Sequence, residues 1–169
     1  ATHPSNAPAG DRPTIACPVC GDSKRAYLFV IRGLPIVRCP GCGLVSLHPQ
    51  PGPGDLATFY SAESQADPRL TWKDSQTERE AAEHALRELQ AAGLSSGRLL
   101  LVAPPAHVFA AVAEEAGYSI GQQITVTDLE TVGLEAPFDG VVALYQLEKS
   151  RDPAGVLKRL HSALRADGV

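Results

Sequence analysis

The feature that most constrains the fold of this chain is a pair of Cys-x-x-Cys turns. Cys17 and Cys20 form the first turn, Cys39 and Cys42 form the second, and eighteen residues separate them. Two residues between cysteines let a tight turn direct both sulfurs at one ion, and this spacing is typical of a four-thiolate zinc site. The intervening sequence YLFVIRGLPIVRC predicts a hairpin that brings the second turn back beside the first. We therefore predict a zinc ribbon over residues 14–48.

Other interpretations of the four cysteines remain open. They could form two disulfides, although nothing in the sequence indicates an oxidising compartment. A redox Cys-x-x-Cys motif would need only one pair, placed before a helix. A closed four-cysteine site leaves no open coordination position, so we expect one structural zinc ion that stabilises a small module rather than a catalytic metal. The nearby basic residues would offset the charge of the site or contact nucleic acid: Lys24, Arg25, Arg32 and Arg38.

Charge and hydropathy limit the classes of partner. The 169 residues carry a net charge of −4, which argues against general binding of nucleic acid or of a membrane surface. The most apolar run, Leu99 to Ala113, is too short and too interrupted to span a bilayer. No secretory signal is visible at the start, and the chain contains no Met, so we expect an excised or processed chain. We predict a cytoplasmic protein that has no membrane partner, and the acidic balance disfavours nucleic acid as a partner.

Composition divides the chain into four regions. Residues 1–13 are rich in Pro, Ala and polar side chains and predict a disordered lead-in. Residues 14–48 contain every cysteine. Residues 49–73 begin with PQPGPGD and predict a stiff Pro/Gly-rich connector. Residues 74–169 alternate helix and strand patterns, which predicts a parallel sheet with helices on its faces. The predicted class is α/β: a small zinc ribbon followed by a partial Rossmann-like sheet with flanking helices.

Hydrophobic periodicity predicts the elements of the last region. SQTEREAAEHALRELQAAG predicts a helix with a capping box at Ser75 and Glu78 and a stop at Gly93. RLLLVA and FDGVVALY predict buried strands, with a helix from Pro105 to Ala116 after the first. QITVTDL predicts a short strand or a strand end, and the second strand and its helix look shortened or deleted. DPAGVLKRLHSALRADG predicts a helix capped by Asp152. The apolar faces predicted for the first and last helices are Ala82, Ala85, Leu86 and Leu89, and Val156, Leu157, Leu160 and Leu164.

Three stretches of the sequence resemble one protein family: CPVCG…VRCPGCGLVSLHPQPGPGDLATFY, GRLLLV…AEEAGY and FDGVVALYQLEKSRDPAGVLKRLHSALRADGV. Members of this family have a zinc ribbon, a Pro-containing connector and a class I S-adenosylmethionine-dependent methyltransferase domain. The resemblance covers most of residues 15–169 and implies a methyltransferase-like fold. The family sheet has seven strands, whereas this chain supplies three or four before Val169. We therefore expect a truncated member, whose open sheet edge is covered by a missing C-terminal segment or by a homodimer partner.

The resemblance also indicates that the cofactor loop of this chain is degenerate. In the family, an acidic residue and three glycines follow the first strand. The corresponding residues here are Leu101, Ala103, Pro105 and His107. Glycine lets the backbone approach the cofactor, whereas Pro104 and Pro105 remove two N–H donors and fix φ. This predicts that the loop has lost the means to hold S-adenosylmethionine.

Two positions could still contact the cofactor if it binds. Gln123 is the nearest stand-in for the family's ribose-binding acid, and Asp128 matches the acid beside the adenine. His107 has no visible partner and is interpreted as a surface residue rather than a general base. Asp139 is interpreted as a turn and strand-entry residue. No catalytic residues are identified, because no arrangement of nucleophile and base or of paired carboxylates is supported by spacing.

Three functions remain open from the sequence. The first is a methyltransferase-like protein with a structural zinc ribbon and a degenerate S-adenosylmethionine site, acting as a non-catalytic scaffold or interaction module, that is, a pseudoenzyme. The second is an active methyltransferase with an atypical cofactor loop that acts on a sugar or other small metabolite. The third is a zinc-ribbon module that binds protein or nucleic acid. The lost glycines favour the first function over the second.

Overall fold

The chain contains two compact units, which divide between Pro51 and Gly52. The computed structural model describes residues 16–31, 33–52, 75–105, 107–129 and 131–169. The predicted lead-in over residues 1–13 and most of the predicted connector therefore lie outside the described residues.

The first unit is a three-stranded antiparallel sheet. Its strands are β1 (Ala26–Ile31), β2 (Leu34–Arg38) and β3 (Val45–Leu47), in the order β1-β2-β3. Gly33 lies in the turn between β1 and β2 with a φ of 80°, a left-handed conformation that favours glycine. The predicted hairpin between the two cysteine pairs is therefore confirmed.

The described residues of the second unit form three α-helices and a three-stranded parallel sheet. The strand order is β5-β4-β6, and β4 pairs in parallel with both neighbours. A short 3-10 turn, Leu147–Lys149, precedes the last helix. The predicted α/β class with a parallel sheet is confirmed at this level. The elements in chain order are α1 (Ser75–Ala91), β4 (Gly97–Val102), α2 (Phe109–Glu115), β5 (Tyr118–Ile124), β6 (Gly140–Ala143) and α3 (Pro153–Ser162).

The central strand β4 divides the core of the second unit into two clusters. Successive side chains of a strand point to opposite faces of its sheet. Leu99 and Leu101 accordingly pack in one cluster with α1 and α2, whereas Leu100 and Val102 pack in the other with α3. All four are fully buried, which explains why RLLLV reads as a continuous apolar run. The predicted apolar face of α1 is confirmed, because three of its members are buried and the fourth packs against them: Ala82, Leu86, Leu89 and Ala85.

The strand after α2 is longer than the sequence pattern indicated. β5 contains seven residues, and Tyr118 to Ile124 pair with β4 along its full length. The prediction of a shortened or deleted second strand is therefore wrong. β5 lies at the edge of this sheet, so Gln122 and Gln123 can stay partly exposed and the strand needs no continuous apolar run. The described residues between β5 and β6 contain no helix, as the sequence indicated.

The helix after β4 is shorter than predicted. α2 begins at Phe109 and not at Pro105, and it ends at Glu115. Pro105 does not by itself account for the late start, because proline is tolerated in the first turn of a helix and restricts only the residue before it. The N–H of Phe109 instead donates to Nδ1 of His107 at 3.1 Å.

The last helix agrees with its predicted cap but not with all of its predicted face. Oδ1 of Asp152 accepts a hydrogen bond from the N–H of Gly155 at 2.9 Å, as expected for an N-cap. Leu160 is 4% exposed and belongs to the core, whereas Leu157 is 52% exposed. The prediction that Leu157 lies on the buried face is therefore wrong. α3 buries a narrower stripe of apolar residues than the sequence pattern predicts.

The outer edge of β6 is partly paired by the end of the chain. The N–H of Val141 donates to the carbonyl oxygen of Val169 at 2.8 Å, and the N–H of Val169 donates to that of Asp139 at 3.0 Å. The carboxylate of Asp139 also accepts the N–H of Arg98 at 2.6 Å and pairs with Arg165 at 2.5 Å. Asp139 thus acts as the predicted strand-entry residue. The expected open edge is not fully open at this position, and a homodimer through it stays a prediction.

Candidate metal centre and cofactor pocket

The two cysteine turns have the same backbone geometry. In each turn the N–H of the first cysteine donates to the carbonyl oxygen five residues later, at 2.8 Å in both cases. The carbonyl oxygen of that cysteine accepts the N–H of a glycine four residues later, at 2.9 Å in the first turn and 2.8 Å in the second. These glycines, Gly21 and Gly43, have φ values of 76° and 79°. A left-handed residue is needed there, so glycine fixes the geometry of both turns.

The four sulfurs of these turns form one compact cluster. All four Sγ atoms lie within 4.8 Å of one another, and all four cysteines are free. The sulfurs of Cys17 and Cys42 are 3.6 Å apart, and those of Cys20 and Cys39 are 3.5 Å apart. A disulfide requires about 2.05 Å. Four bonds of about 2.3 Å to a tetrahedral zinc ion place the sulfurs about 3.8 Å apart. The cluster therefore fits one metal ion held by both turns, and it does not fit two disulfides.

The electrostatics of the cluster also favour a cation. The N–H of Cys20 lowers the pKa of the Cys17 thiol to about 6, against the effect of burial. The N–H of Asp22 acts to lower the pKa of Cys20, yet the thiol of Cys39 and burial together raise it to about 12. Thiols this close oppose one another's ionisation, so four thiolates need a positive charge between them. A bound divalent cation would supply that charge.

The close approach of the two turns depends on a further glycine. A Cβ at Gly41 would lie 2.9 Å from Oδ2 of Asp22 and 3.3 Å from the sulfur of Cys20. Cys17 and Cys39 are buried, whereas Cys20 and Cys42 are exposed. Four thiolates complete a tetrahedral shell, which leaves no coordination position for a substrate. The centre is therefore suited to a structural role.

The second candidate site lies at the carboxyl ends of β4 and β5. A pocket of about 270 Å³ opens there, and Gln123 and Asp128 both line it. The structure thus brings together the two residues that the family resemblance singled out. In parallel α/β sheets, ligands bind outside the carboxyl ends of the strands. The remaining lining residues are Ala103, Pro105, Ile124 and Thr125.

The groups in this pocket do not fit S-adenosylmethionine. The N–H of Ala103 already donates to the carbonyl oxygen of Ile124 at 3.0 Å, and Pro104 and Pro105 have no N–H. Residues 103–105 therefore offer a ligand no backbone donor. The amide of Gln123 donates to the carbonyl oxygen of Pro104 at 2.5 Å, so it is already engaged. The volume of about 270 Å³ also lies below the range of about 300–1,000 Å³ that is typical of pockets for drug-sized ligands, and S-adenosylmethionine is a ligand of that size.

A third feature was not found by sequence reasoning. A pocket of about 250 Å³ is lined by five residues, among them His107 and Tyr145. His107, interpreted from the sequence as a surface residue, is half-buried. Tyr145 has a φ of 53°, a left-handed conformation that is uncommon for a bulky side chain. Nothing in the sequence around Tyr145 signals this conformation.

Comparison with models of known protein families, with curated proteins and with solved structures gives no match to this chain. The likeness to zinc-ribbon methyltransferases therefore stays a prediction based on motifs. None of the described helices is long and apolar enough to cross a membrane. The described residues of the first unit support a closed four-thiolate metal centre. Those of the second unit form an α/β sheet with small pockets at its carboxyl edge.

Proposed function

We propose that this protein is a metal-stabilised interaction module whose methyltransferase-like α/β unit does not use S-adenosylmethionine. The strand order β5-β4-β6 supports the methyltransferase-like part of the proposal. In a Rossmann-like sheet, the first strand lies between the second strand and the strand that begins the other half. β4, β5 and β6 occupy these relative positions, and α2 forms the crossover between β4 and β5.

One observation carries the non-catalytic part of the proposal. The corner after β4, where the family holds its cofactor, has no free backbone N–H from Ala103 to Pro105. Glycine-rich corners of this type bind ligands through such donors and through close backbone approach. The contact between Gln123 and the carbonyl of Pro104 further closes the corner against a ligand.

The interaction surface that we propose is strand β1 of the ribbon. β1 is at the edge of its sheet, all six of its residues are exposed, and none of them is charged. Phe29 pairs with Ile36, which in turn pairs with Leu47, so these side chains share one face of the sheet. Phe29 and Ile31 are 48% and 51% exposed. An exposed apolar edge of this kind can accept an extended strand from another protein.

The first test of this proposal is a calorimetric titration with S-adenosylmethionine. We expect no saturable heat up to millimolar cofactor, because residues 103–105 supply neither glycines nor free N–H groups. A chain with Pro104 and Pro105 both replaced by glycine is the matched comparison for the role of the prolines. Saturable binding by the natural chain at micromolar concentration would contradict the proposal and support an active methyltransferase.

The second test places a photo-crosslinking residue at Phe29 in the zinc-loaded protein. We expect a reproducible adduct of one molecular mass in cells, because among the described strands β1 has a neighbour on one side only and presents apolar side chains. The same crosslinker at Glu88, an exposed position of α1, is the control and should give no such adduct. Equal adducts at both positions, or none at Phe29, would show that β1 is not the interaction surface.

A further inference from the structure

The pocket between α1 and the ends of β4 and β6 lies at a characteristic place in the fold. Its lining residues come from the first turns of α1, from the corner after β4 and from the residue that follows Leu144 at the end of β6. The chain leaves β4 toward β5 on one side, whereas β6 lies on the other side of β4. Such a switch point is the usual ligand-binding crevice of an open parallel sheet. The lining residues are Thr77, Glu78, Ala81, His107 and Tyr145.

The strained residue Tyr145 is held in place by its neighbour. Gln146 is only 3% exposed, and its side-chain amide donates to the carbonyl oxygen of Tyr145 at 2.9 Å and to that of Leu144 at 3.4 Å. The N–H of Lys149 in turn donates to the carbonyl oxygen of Gln146 at 3.0 Å. These contacts fix the left-handed turn and keep the aromatic ring at the pocket, with 69% of the residue exposed. Strained residues retained in this way are concentrated at ligand sites.

His107 supplies a directed hydrogen-bond donor. Its Nδ1 accepts the N–H of Phe109 at 3.1 Å, so in the neutral ring the proton is on Nε2. Burial lowers the pKa of His107, while the charge of Glu78 acts to raise it. A neutral imidazole at neutral pH presents Nε2–H to a ligand oxygen and adds no positive charge to the pocket.

The charge of the pocket is negative. Among the described lining residues Glu78 is the one charged side chain, and it forms no ion pair with another described residue. The N-terminal turn of α1 contributes a partial charge of about +0.5, which is less than the full charge of a carboxylate. Residues 75–169 also carry thirteen acidic and eight basic side chains. These charges disfavour phosphates and carboxylates as ligands and favour a cation.

We propose that this pocket binds a small organic ammonium ion that also carries a hydroxyl group. The carboxylate of Glu78 balances the charge of the ligand, and the ring of Tyr145 offers an aromatic face to the ammonium group. Nε2–H of His107 donates to the hydroxyl oxygen, and Ala81 leaves room beside the helix. The pocket volume of about 250 Å³ accommodates a ligand of this size but not a nucleotide. This pocket is separate from the pocket of Gln123 and Asp128. The ammonium ligand is therefore expected to bind whether or not the protein binds S-adenosylmethionine.

The test is a titration of the zinc-loaded full chain with choline and with its neutral isostere 3,3-dimethylbutan-1-ol. We expect choline to bind with a Kd on the order of 1 mM, and the neutral alcohol to bind at least about tenfold more weakly. Glu78→Gln should weaken choline binding at least about tenfold, whereas Glu88→Gln on the same helix should leave it unchanged. Equal binding of choline and the alcohol, or no effect of Glu78→Gln, would overturn the proposal.

Two further variants separate binding from folding. Tyr145→Gly removes the ring and also relieves the left-handed strain, so it should abolish choline binding without lowering the thermal midpoint of the protein. His107→Asn keeps an acceptor for the N–H of Phe109 but removes Nε2–H. The natural chain should bind choline more tightly than tetramethylammonium, which has no hydroxyl, and this variant should bind the two equally. A Tyr145→Gly protein that unfolds at lower temperature, or that still binds choline, would contradict the assigned role of Tyr145.

Discussion

Chelation of zinc from the purified protein is expected to unfold the ribbon and to leave the α/β unit folded. Structural zinc sites in small peptides contribute an apparent folding free energy of about 10–16 kcal/mol at neutral pH. Among the described residues, the ribbon buries few apolar side chains beyond Val37. Its apolar core therefore cannot supply a comparable folding free energy once the metal is removed. Cys39→Ser should have the same effect, because Cys39 is 1% exposed and holds one of the four ligand positions. The measurements are the zinc content per chain and the dispersion of amide NMR signals from residues 16–51.

The matched control for Cys39→Ser is Ser23→Ala, an exposed position between the first cysteine turn and β1. This variant should keep one zinc ion per chain and all ribbon signals. Zinc binding should also release protons, because Cys20 and Cys42, whose pKa values are raised by burial and by neighbouring thiols, become thiolates at the metal. The affinity for zinc should therefore fall as the pH is lowered. Ribbon signals that stay dispersed after chelation would show that the metal is not what stabilises this unit.

The metal centre could be predicted from the sequence because its determinants are local. A Cys-x-x-Cys turn is specified by a few adjacent residues, and the glycine four positions after each first cysteine is visible in the sequence. The approach of the two turns follows from the hairpin between them, which is also a local element. The same reasoning could not reveal that a Cβ at Gly41 would contact Asp22, since that contact joins residues from different turns.

The sheet of the α/β unit was predicted less completely because edge strands carry a weaker pattern. β4 is buried on both faces and reads as an unbroken apolar run. β5 pairs with β4 along one side only. Its polar residues Ser119, Gln122 and Gln123 interrupt the apolar pattern, so hydrophobic periodicity does not predict the full strand. β5 is a strand because its backbone pairs with β4. A short window of sequence around β5 contains no information about that pairing.

The pocket at Tyr145 shows the same limitation for a site. Its residues come from three separate parts of the chain, and no motif joins Glu78, His107 and Tyr145 in sequence. The left-handed conformation of Tyr145 is held by a buried glutamine side chain, and a tyrosine gives no sign of such a conformation. By contrast, the family resemblance singled out Gln123 and Asp128, and both line the pocket at the carboxyl ends of β4 and β5.

Leu160→Ala in α3 is expected to lower the free energy of unfolding of the α/β unit by about 2–5 kcal/mol. Leu160 is 4% exposed and packs in a cluster with Leu100 of β4 and Phe138. Removing its three outer carbon atoms therefore takes away buried apolar contacts and leaves a cavity that the sheet cannot readily close. Chemical denaturation of the zinc-loaded protein, followed by far-UV circular dichroism, measures this change.

Leu157→Ala is the matched control, because it makes the same substitution three residues earlier in the same helix. Leu157 is 52% exposed, so we expect a change within about 0.5 kcal/mol, in which the better helix propensity of alanine offsets a small loss of contact. The sequence pattern assigns both leucines to one buried face and predicts similar losses for both. Large and equal losses of unfolding free energy would therefore favour the face predicted from the sequence. A large loss for Leu160→Ala alone would support the orientation of α3 that buries Leu160 and exposes Leu157.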